Sequence, residues 1–401
     1  MATVFQITSR PIIILSKCIG LIHTSYTMEP TGLLVHNINS TFHVFLEITR
    51  MMALIIITYI YFQQFDKDVH ILQIINSTKF WFIIIAARLR TKWIIKFING
   101  IIEFDRKITT LSRNMLIPQR SWTKRRWDTI FISLSLYFIG FKCIYLYLWH
   151  PKAENIILLL HHALFLPPYI MDYVVTITSC FFLQNIFVRF QTLNDVWKCL
   201  PADLVIVPGQ WTHDKTVDVM ENTRLLHSEL CELLKMFTLS YGPLLLCFFS
   251  SSFISMLVSI HFIVNISGIS SKHFNKSILE KLIPLMVHVQ IITFLMSIII
   301  FVSIINEKRL EIISFLRSYR ISNLHLDIKR QIKMFMNQVS ACNSDQVTAI
   351  GFFDINLNLV TTIIVLFFSG MITMIQMKNH PMILKLNNDT KIYIDKLFTA
   401  K

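Results

Sequence analysis

The polar residue of this sequence that most needs an explanation is an amide at the end of an apolar run. Gln376 closes a segment that is apolar from Leu359 onward. Because an unpaired amide in hydrocarbon costs roughly 2–7 kcal/mol, Gln376 either bonds to a neighbouring helix backbone or faces water inside the membrane. In the second case the helix lines a pore. Thr373 and Ile372, one turn earlier on the same face, are then the next pore or gate candidates, although Ile372 also fits ordinary helix packing.

A second group of residues could contact a ligand. Asp172 lies in the fourth predicted membrane span, and ionisable groups in spans usually face protein or water. Its carboxylate could therefore bind a polar or cationic ligand, or pair with a neighbouring helix. Aromatic side chains supply apolar area with a polar edge, so an amphipathic pocket or an interfacial anchor is expected at Tyr145, Trp149, Tyr169 and Tyr173.

The sequence contains no constellation typical of an enzyme or of a metal or cofactor site. It lacks a Ser/His/Asp or Cys/His arrangement and a phosphate-binding loop. The adjacent His161 and His162 would diverge by about 100° on a helix, and no third ligand stands at a fitting spacing. We therefore expect no enzymatic activity, metal or cofactor.

The composition is that of a membrane protein. The chain has 401 residues, of which 54% are hydrophobic and 15% charged, whereas soluble domains carry about 25% charged residues. The net charge of +14 reflects membrane topology better than nucleic-acid binding, because Lys and Arg gather on the cytoplasmic side. The basic connector 88–126 then faces anionic lipid headgroups.

Long apolar runs separated by charged connectors predict an all-α membrane protein with seven transmembrane helices. A short amphipathic segment before the first span is expected to lie at the interface. A bend is predicted at Pro167-Pro168, and the charged connector 306–358 has a helical period. The predicted spans are 41–62, 71–87, 127–149, 163–187, 237–264, 282–305 and 359–377.

Charge distribution predicts the orientation. The connectors on the side of the N-terminus hold 25 Lys and Arg residues and those on the opposite side 10, which places the N-terminus in the cytoplasm and the C-terminus outside. Glycosylation sequons fall on the predicted outer side, at Asn265, Asn275 and Asn388. G-protein-coupled receptors have the reverse orientation and are thereby excluded.

The last span resembles the C-terminal motif of insect gustatory receptors, which runs Thr-Tyr, five apolar residues, then Gln-Phe. Residues 369–377, SGMITMIQM, keep the glutamine at Gln376. They carry Ser for Thr, Gly for Tyr, a threonine among the apolar positions and Met for Phe. The upstream turn 351–354, GFFD, and Asn356 stand at a fitting distance. The likeness covers nearly the whole chain in architecture and few residues in identity.

This resemblance implies a ligand-gated, non-selective cation channel for tastants in the cell membrane of a chemosensory dendrite. It implies a tetramer, homomeric or with related subunits, whose last helices line the pore. Residues 1–305 would then sense the ligand, 306–377 would form cytoplasmic anchor helices and the pore helix, and 378–401 an extracellular tail. An insect odorant receptor subunit is the alternative within the superfamily. A secondary transporter would require a duplicated hydropathy pattern, which the sequence lacks.

Overall fold

The computed structural model describes residues 4–36, 41–64, 70–114, 122–148, 160, 163–165, 168–198, 212–267, 278–318, 324–341, 347–377, 380–381 and 384. Within them the chain is almost entirely helical, with one short antiparallel strand pair. The elements are α1 (Val4–Ile19), β1 (Tyr26–Met28), β2 (Leu34–His36), α2 (Thr41–Gln64), α3 (His70–Asn114), α4 (Trp122–Leu148), α5 (Ile170–Lys198), α6 (His213–Ser267), α7 (Ile278–Ser318), α8 (Leu326–Ala341) and α9 (Leu357–Gln376).

Six helices of the described chain are long and apolar enough to cross a bilayer. The qualifying segments are Thr41–Ile60, Trp127–Tyr147, Ile170–Lys198, His213–Val258, Met286–Arg317 and Leu357–Gln376. The predicted second span, 71–87, lies in α3, where Lys79 interrupts the apolar run and Arg88 follows it. Composition therefore does not single out α3 as a span. The chain is a helical protein with multiple membrane-spanning helices.

Three helices extend well beyond the predicted spans. The helices continue past the predicted span borders at 87, 237 and 305: α3 runs to Asn114, α6 begins at His213 and α7 runs to Ser318. At 1.5 Å per residue, α3 and α6 are roughly 70 and 80 Å long, against about 30 Å of hydrocarbon. Helices of this length that cross the membrane project from it. Their polar ends remain helical.

The predicted bend in the fourth span is present. Residues 163–165 are helical, the chain bends at Pro168, and α5 begins at Ile170 and continues to Lys198, past the predicted border at 187. Proline lacks the amide hydrogen that a helix interior requires, so the helix starts after the bend and does not run through it.

The helices enclose two hydrophobic cores. The larger one joins α3, α5, α6 and α7 through aromatic contacts such as Phe97 with Phe182 and Phe237, whose ring centroids are 5.3 and 5.6 Å apart. The smaller one lies where α8 packs against α5 and α6, with the Trp197 ring 5.6 Å from Phe335. This second core confirms the helical prediction for the connector 306–358.

The N-terminal helix packs more deeply than an interfacial helix would. Ile12 of α1 is fully buried, and the Phe5 ring stacks on Phe181 of α5 at 5.8 Å. Glu47 of α2 pairs with Arg50 one turn later, and Arg88 of α3 joins the same carboxylate. These contacts tie α2 to α3.

Candidate functional site

A buried ion pair joins α3 to α5. Lys79 Nζ lies 2.5 Å from Asp172 Oδ1 and 2.7 Å from Oδ2, and each side chain is only 3% exposed. Ser252 Oγ of α6 accepts a further hydrogen bond at 3.4 Å. Opposite charges in apolar surroundings stabilise each other only when they are paired and hydrogen-bonded, so this contact sets the relative positions of three helices.

Two aromatic rings enclose the ammonium group. Lys79 Nζ lies 5.4 Å from the ring centroid of Tyr169 and 5.6 Å from that of Phe248. A cation at this distance from a ring face is attracted by the ring's electrons. The charge is thus held between a carboxylate, a hydroxyl and two rings.

A narrow cleft, too tight to admit a water molecule, lies beside this pair. It is lined by Pro168, Tyr169, Asp172, Val287, Gln290, Ile291 and Phe294. Gln290 is 4% exposed, and neither amide atom has a hydrogen-bond partner among the described residues. The same holds for Nδ1 of His288, two positions earlier in α7. Buried polar groups are nearly always hydrogen-bonded, so the unused amide could donate to and accept from a bound molecule.

The structure brings together only part of the predicted ligand group. Tyr169 and Asp172 both line the cleft. Tyr173 instead contacts α4, where its hydroxyl lies 2.6 Å from Ser135 Oγ and its ring stacks on Phe138 at 4.5 Å. Tyr145 is buried in α4, and Trp149 lies outside the described residues.

Sequence reasoning missed two members of this cluster. Neither Lys79 nor Gln290 is among the candidate residues identified from the sequence. An acid and a base in two different apolar runs, Asp172 and Lys79, were a detectable signal because such charges tend to pair. An amide in the sixth apolar run was a second signal.

The final helix is organised differently. Only Leu359 of α9 is buried, and the residues that contact the rest of the chain form one partly covered stripe at 360, 363, 367, 370, 371 and 374. A Cβ added to Gly370 would lie 3.1 Å from the Leu257 side chain of α6. The absence of a side chain at Gly370 therefore lets α9 pack closely against Leu257 of α6.

A polar stripe runs along the exposed surface of α9. At about 100° per residue, its members lie within about 40° of one direction, and all are exposed: Asn358, Thr362, Ser369, Thr373 and Gln376. Thr373 donates to the backbone oxygen of Ser369 at 2.8 Å, whereas Gln376 has no side-chain hydrogen bond to another described residue. Ile372, 55% exposed, lies about 40° from Gln376 and about 100° from Thr373.

The stripe extends further than sequence reasoning proposed. Thr373 and Gln376 were identified, but Asn358, Thr362 and Ser369 were not. Their spacing of four, seven, four and three residues is that of one helix face. The sequence contains this spacing, but the spacing is hard to recognise because most residues of the segment are apolar.

A tight turn immediately precedes α9. Thr348 and Asp354 form an isolated bridge, and Gly351 adopts a φ of 77° that favours glycine. Asn356 caps the helix by accepting a hydrogen bond from the Leu359 amide at 3.2 Å. The turn and the polar position that the sequence placed before the last span therefore have a structural role.

The glycosylation predictions lie at the edge of the described chain. Asn265 is in the last turn of α6, and its side chain is outside the description. Asn275 and Asn388 both lie outside the described residues. All three stay predictions.

Comparison with known families connects these features to a function. The family described as 7tm Chemosensory receptor matches residues 9–379, which include both the buried ion pair and the final helix. Comparison with curated proteins gives no match. The matched family is one of receptors and not of enzymes. The chain therefore belongs to the 7tm chemosensory receptor family.

Proposed function

We propose that the protein is a gustatory receptor that acts as a ligand-gated, non-selective cation channel. The observation that carries the proposal is the exposed polar stripe of α9, from Asn358 to Gln376. A helix with a polar stripe cannot turn every face to hydrocarbon at low cost. That cost is avoided if the polar stripe faces water inside an assembly of several subunits.

In the proposed assembly four subunits surround the pore. Each contributes one α9, so that Thr373 and Gln376 recur as rings around the ion path and Ile372 lies beside Gln376 as an apolar neighbour. The remaining exposed face of α9 is apolar, at Ile364, Phe368 and Ile375. That face would contact lipid or an adjacent subunit, either a second copy of this chain or a related chemoreceptor.

The proposed topology has seven spans, with the N-terminus in the cytoplasm and the C-terminus outside the cell. The apolar part of α3, 71–87, provides the seventh span, since Lys79 is neutralised by Asp172. The projecting ends of α3, α6 and α7 would then lie in the cytoplasm with α8. In this arrangement 306–341 anchors the subunits and 1–305 contains the sensing region.

The cleft beside Lys79 and Asp172 is the proposed ligand site. Its ion pair and the unpaired amide of Gln290 favour a polar molecule that forms several hydrogen bonds. This chemistry supports a water-soluble tastant over an apolar volatile ligand, and therefore a gustatory receptor over an odorant receptor. The cleft is closed in this structure, so ligand entry would have to widen it between α5 and α7.

Cysteine accessibility tests the pore. Single cysteines at the stripe positions Ser369, Thr373 and Gln376 are compared with cysteines at Ile364, Phe368 and Ile375 on the apolar face. Cells expressing each variant are exposed to sugars, amino acids and bitter compounds, then to a charged thiol reagent during current recording. We expect irreversible block only at stripe positions, because only they face water.

The unsubstituted protein, which has seven cysteines, is the control for background modification. Equal block on both faces, or block at the apolar positions alone, would remove the stripe from the pore.

Glycan mapping tests the orientation separately. Gln substitution at Asn265 or Asn275 should increase the electrophoretic mobility of the protein, because an outer sequon carries a glycan. Asn39, which lies on the proposed inner side, is the matched control and should show no change. A glycan at Asn39 and none at the other two positions would reverse the topology.

A further inference from the structure

Three metal-ligating side chains converge where two helices begin. His213 is the first residue of α6, while His325 and Asp327 lie at the start of α8. His213 Nε2 is 3.6 Å and His325 Nδ1 is 3.3 Å from the same oxygen, Oδ2 of Asp327. The two imidazole rings lie nearly perpendicular, with centroids 4.5 Å apart. Residues more than a hundred positions apart in the chain thus point at one small volume.

The distances fit coordination better than hydrogen bonding. An ordinary N–H···O bond measures roughly 2.7–3.2 Å, which is shorter than either contact. Around Zn²⁺, ligand bonds of about 2.0–2.2 Å give tetrahedral edges of roughly 3.3–3.6 Å between ligand atoms. The two contacts to Asp327 match these edges. All three ligand atoms lie within 4.8 Å of one another, so a modest side-chain rotation would close the third edge.

The type and accessibility of the ligands also suit a transition metal. Two imidazoles and one carboxylate are typical Zn²⁺ ligands, with the fourth position left to water. The side chains of His213, Asp327 and His325 are 27%, 59% and 63% exposed, so an ion can reach them. We propose that His213, His325 and Asp327 form a Zn²⁺-type site that joins the start of α6 to the start of α8.

Electrostatics at this position have two opposing parts. Both helix N-termini carry partial positive charge, which disfavours a cation nearby. The acidic residues of the two first turns, Asp214 and Asp327, offset this charge. The helix-dipole effect is screened at exposed sites, whereas metal coordination is a direct bond. Whether a cation binds therefore depends mainly on the geometry of the three ligands.

The site would fix how α8 packs. From their common start α6 and α8 run side by side in the same direction, with Gln331 Nε2 donating to Glu221 at 2.5 Å and Gln338 Nε2 to the Arg224 backbone at 3.0 Å. These are contacts between helices at exposed or partly buried positions. A metal at the shared end would hold the first turns of α6 and α8 together. This inference does not depend on channel activity.

Co²⁺ titration of the full-length protein in detergent tests the site. The protein is stripped with EDTA and titrated with Co²⁺, whose visible absorption reports four-coordinate geometry, and then with Zn²⁺. We expect one Co²⁺ per chain, displaced by Zn²⁺. In His325→Ala and Asp327→Asn the affinity should fall at least tenfold, since even loss of an outer-shell partner costs about 10–100-fold. His380→Ala, which removes an exposed histidine elsewhere, is the matched control and should bind as the unsubstituted protein does.

His325→Cys separates a ligand from a structural residue. A thiolate is also a Zn²⁺ and Co²⁺ ligand, so this variant should recover binding and add the charge-transfer absorption of a Co²⁺–thiolate bond. The proposal is overturned if the unsubstituted protein shows no more four-coordinate Co²⁺ than the double variant His213→Ala/His325→Ala. It is also overturned if His325→Cys binds no better than His325→Ala.

Discussion

The ion pair of Lys79 with Asp172 and the polar stripe of α9 are two solutions to the same physical problem, polar groups within apolar helices. The ion pair is satisfied inside one chain, where a carboxylate, a hydroxyl and two rings surround the ammonium group. The five side chains of the stripe, from Asn358 to Gln376, are all exposed. The charged groups of the first region are paired within the chain, whereas the side chains of the second are exposed.

The two regions therefore differ in the interactions that stabilise them. Around Lys79 the cost of burying charge is offset by contacts of the chain with itself, so substitutions there should change folding stability. On α9 the surface that matters lies against water, lipid or another subunit, so substitutions there should change permeation and leave the monomer's stability nearly unaltered. Four measurements test this contrast.

Removal of one charge from the buried pair should have the largest effect. Asp172→Ala leaves Lys79 as an uncompensated charge among α3, α5 and α6. Breaking a buried pair in this way typically destabilises a protein by about 3–5 kcal/mol. We expect a loss of that order in the free energy of unfolding, measured by denaturation of the purified protein in detergent.

The double substitution Lys79→Met/Asp172→Leu is the control for this measurement. Replacing both charges with apolar groups is often neutral or stabilising, so most of the stability should return. If the single and double variants unfold alike, an unpaired charge at Lys79 is not what destabilises the single variant, and the contrast with α9 is lost.

Gln290→Leu should have an effect of opposite sign. Its amide has no partner among the described residues, and an unsatisfied buried polar group costs about 1–3 kcal/mol. The apolar side chain should therefore stabilise the folded protein by up to that amount, while the response to polar tastants is lost. Ligand-evoked current together with a denaturation midpoint checks both halves. A variant that is less stable, or that still responds normally, would contradict a ligand-binding role for Gln290.

A larger side chain at Gly370 tests how α9 is held. Its Cβ would lie 3.1 Å from Leu257, so Gly370→Val forces the two helices apart, and overpacking of this kind costs about 1–3 kcal/mol. Gly140→Val is the matched control, since nothing lies within 4 Å of its Cβ. We expect a lower denaturation midpoint for Gly370→Val than for Gly140→Val. Equal midpoints would mean that α9 is held by other contacts.

Gln376→Ala should have the smallest effect on stability and a clear one on current. Surface substitutions usually change stability by no more than about 0.5 kcal/mol, and Gln376 is exposed. We expect unchanged denaturation and surface expression, with altered cation permeation or gating. Unchanged currents would remove Gln376 from the ion path, and strong destabilisation would place it in a packed interface.

Local pattern predicted much of the fold and part of the candidate sites. Apolar runs and the 3.6-residue period predicted the membrane helices and the helical connector before α9, because both are properties of consecutive residues. The same reasoning placed span borders at 87, 237 and 305, and α3, α6 and α7 continue beyond these borders as helices. Hydropathy indicates which segment is apolar enough to lie in the membrane. A helix can continue into water beyond that segment when its apolar residues keep the 3.6-residue period.

What the sequence determined by itself is therefore the class of protein, a multi-pass helical chain with its notable polar residues in or beside membrane helices. Tertiary structure alone decided which of those residues meet. In the folded chain Asp172 pairs with Lys79, and Gln290 lines the same cleft as Asp172. Tyr173 contacts α4, and His213 lies close to His325 and Asp327. The reason is that hydropathy and helical period act over a few turns, whereas these contacts join helices separated by tens to more than a hundred residues and depend on how the helices pack.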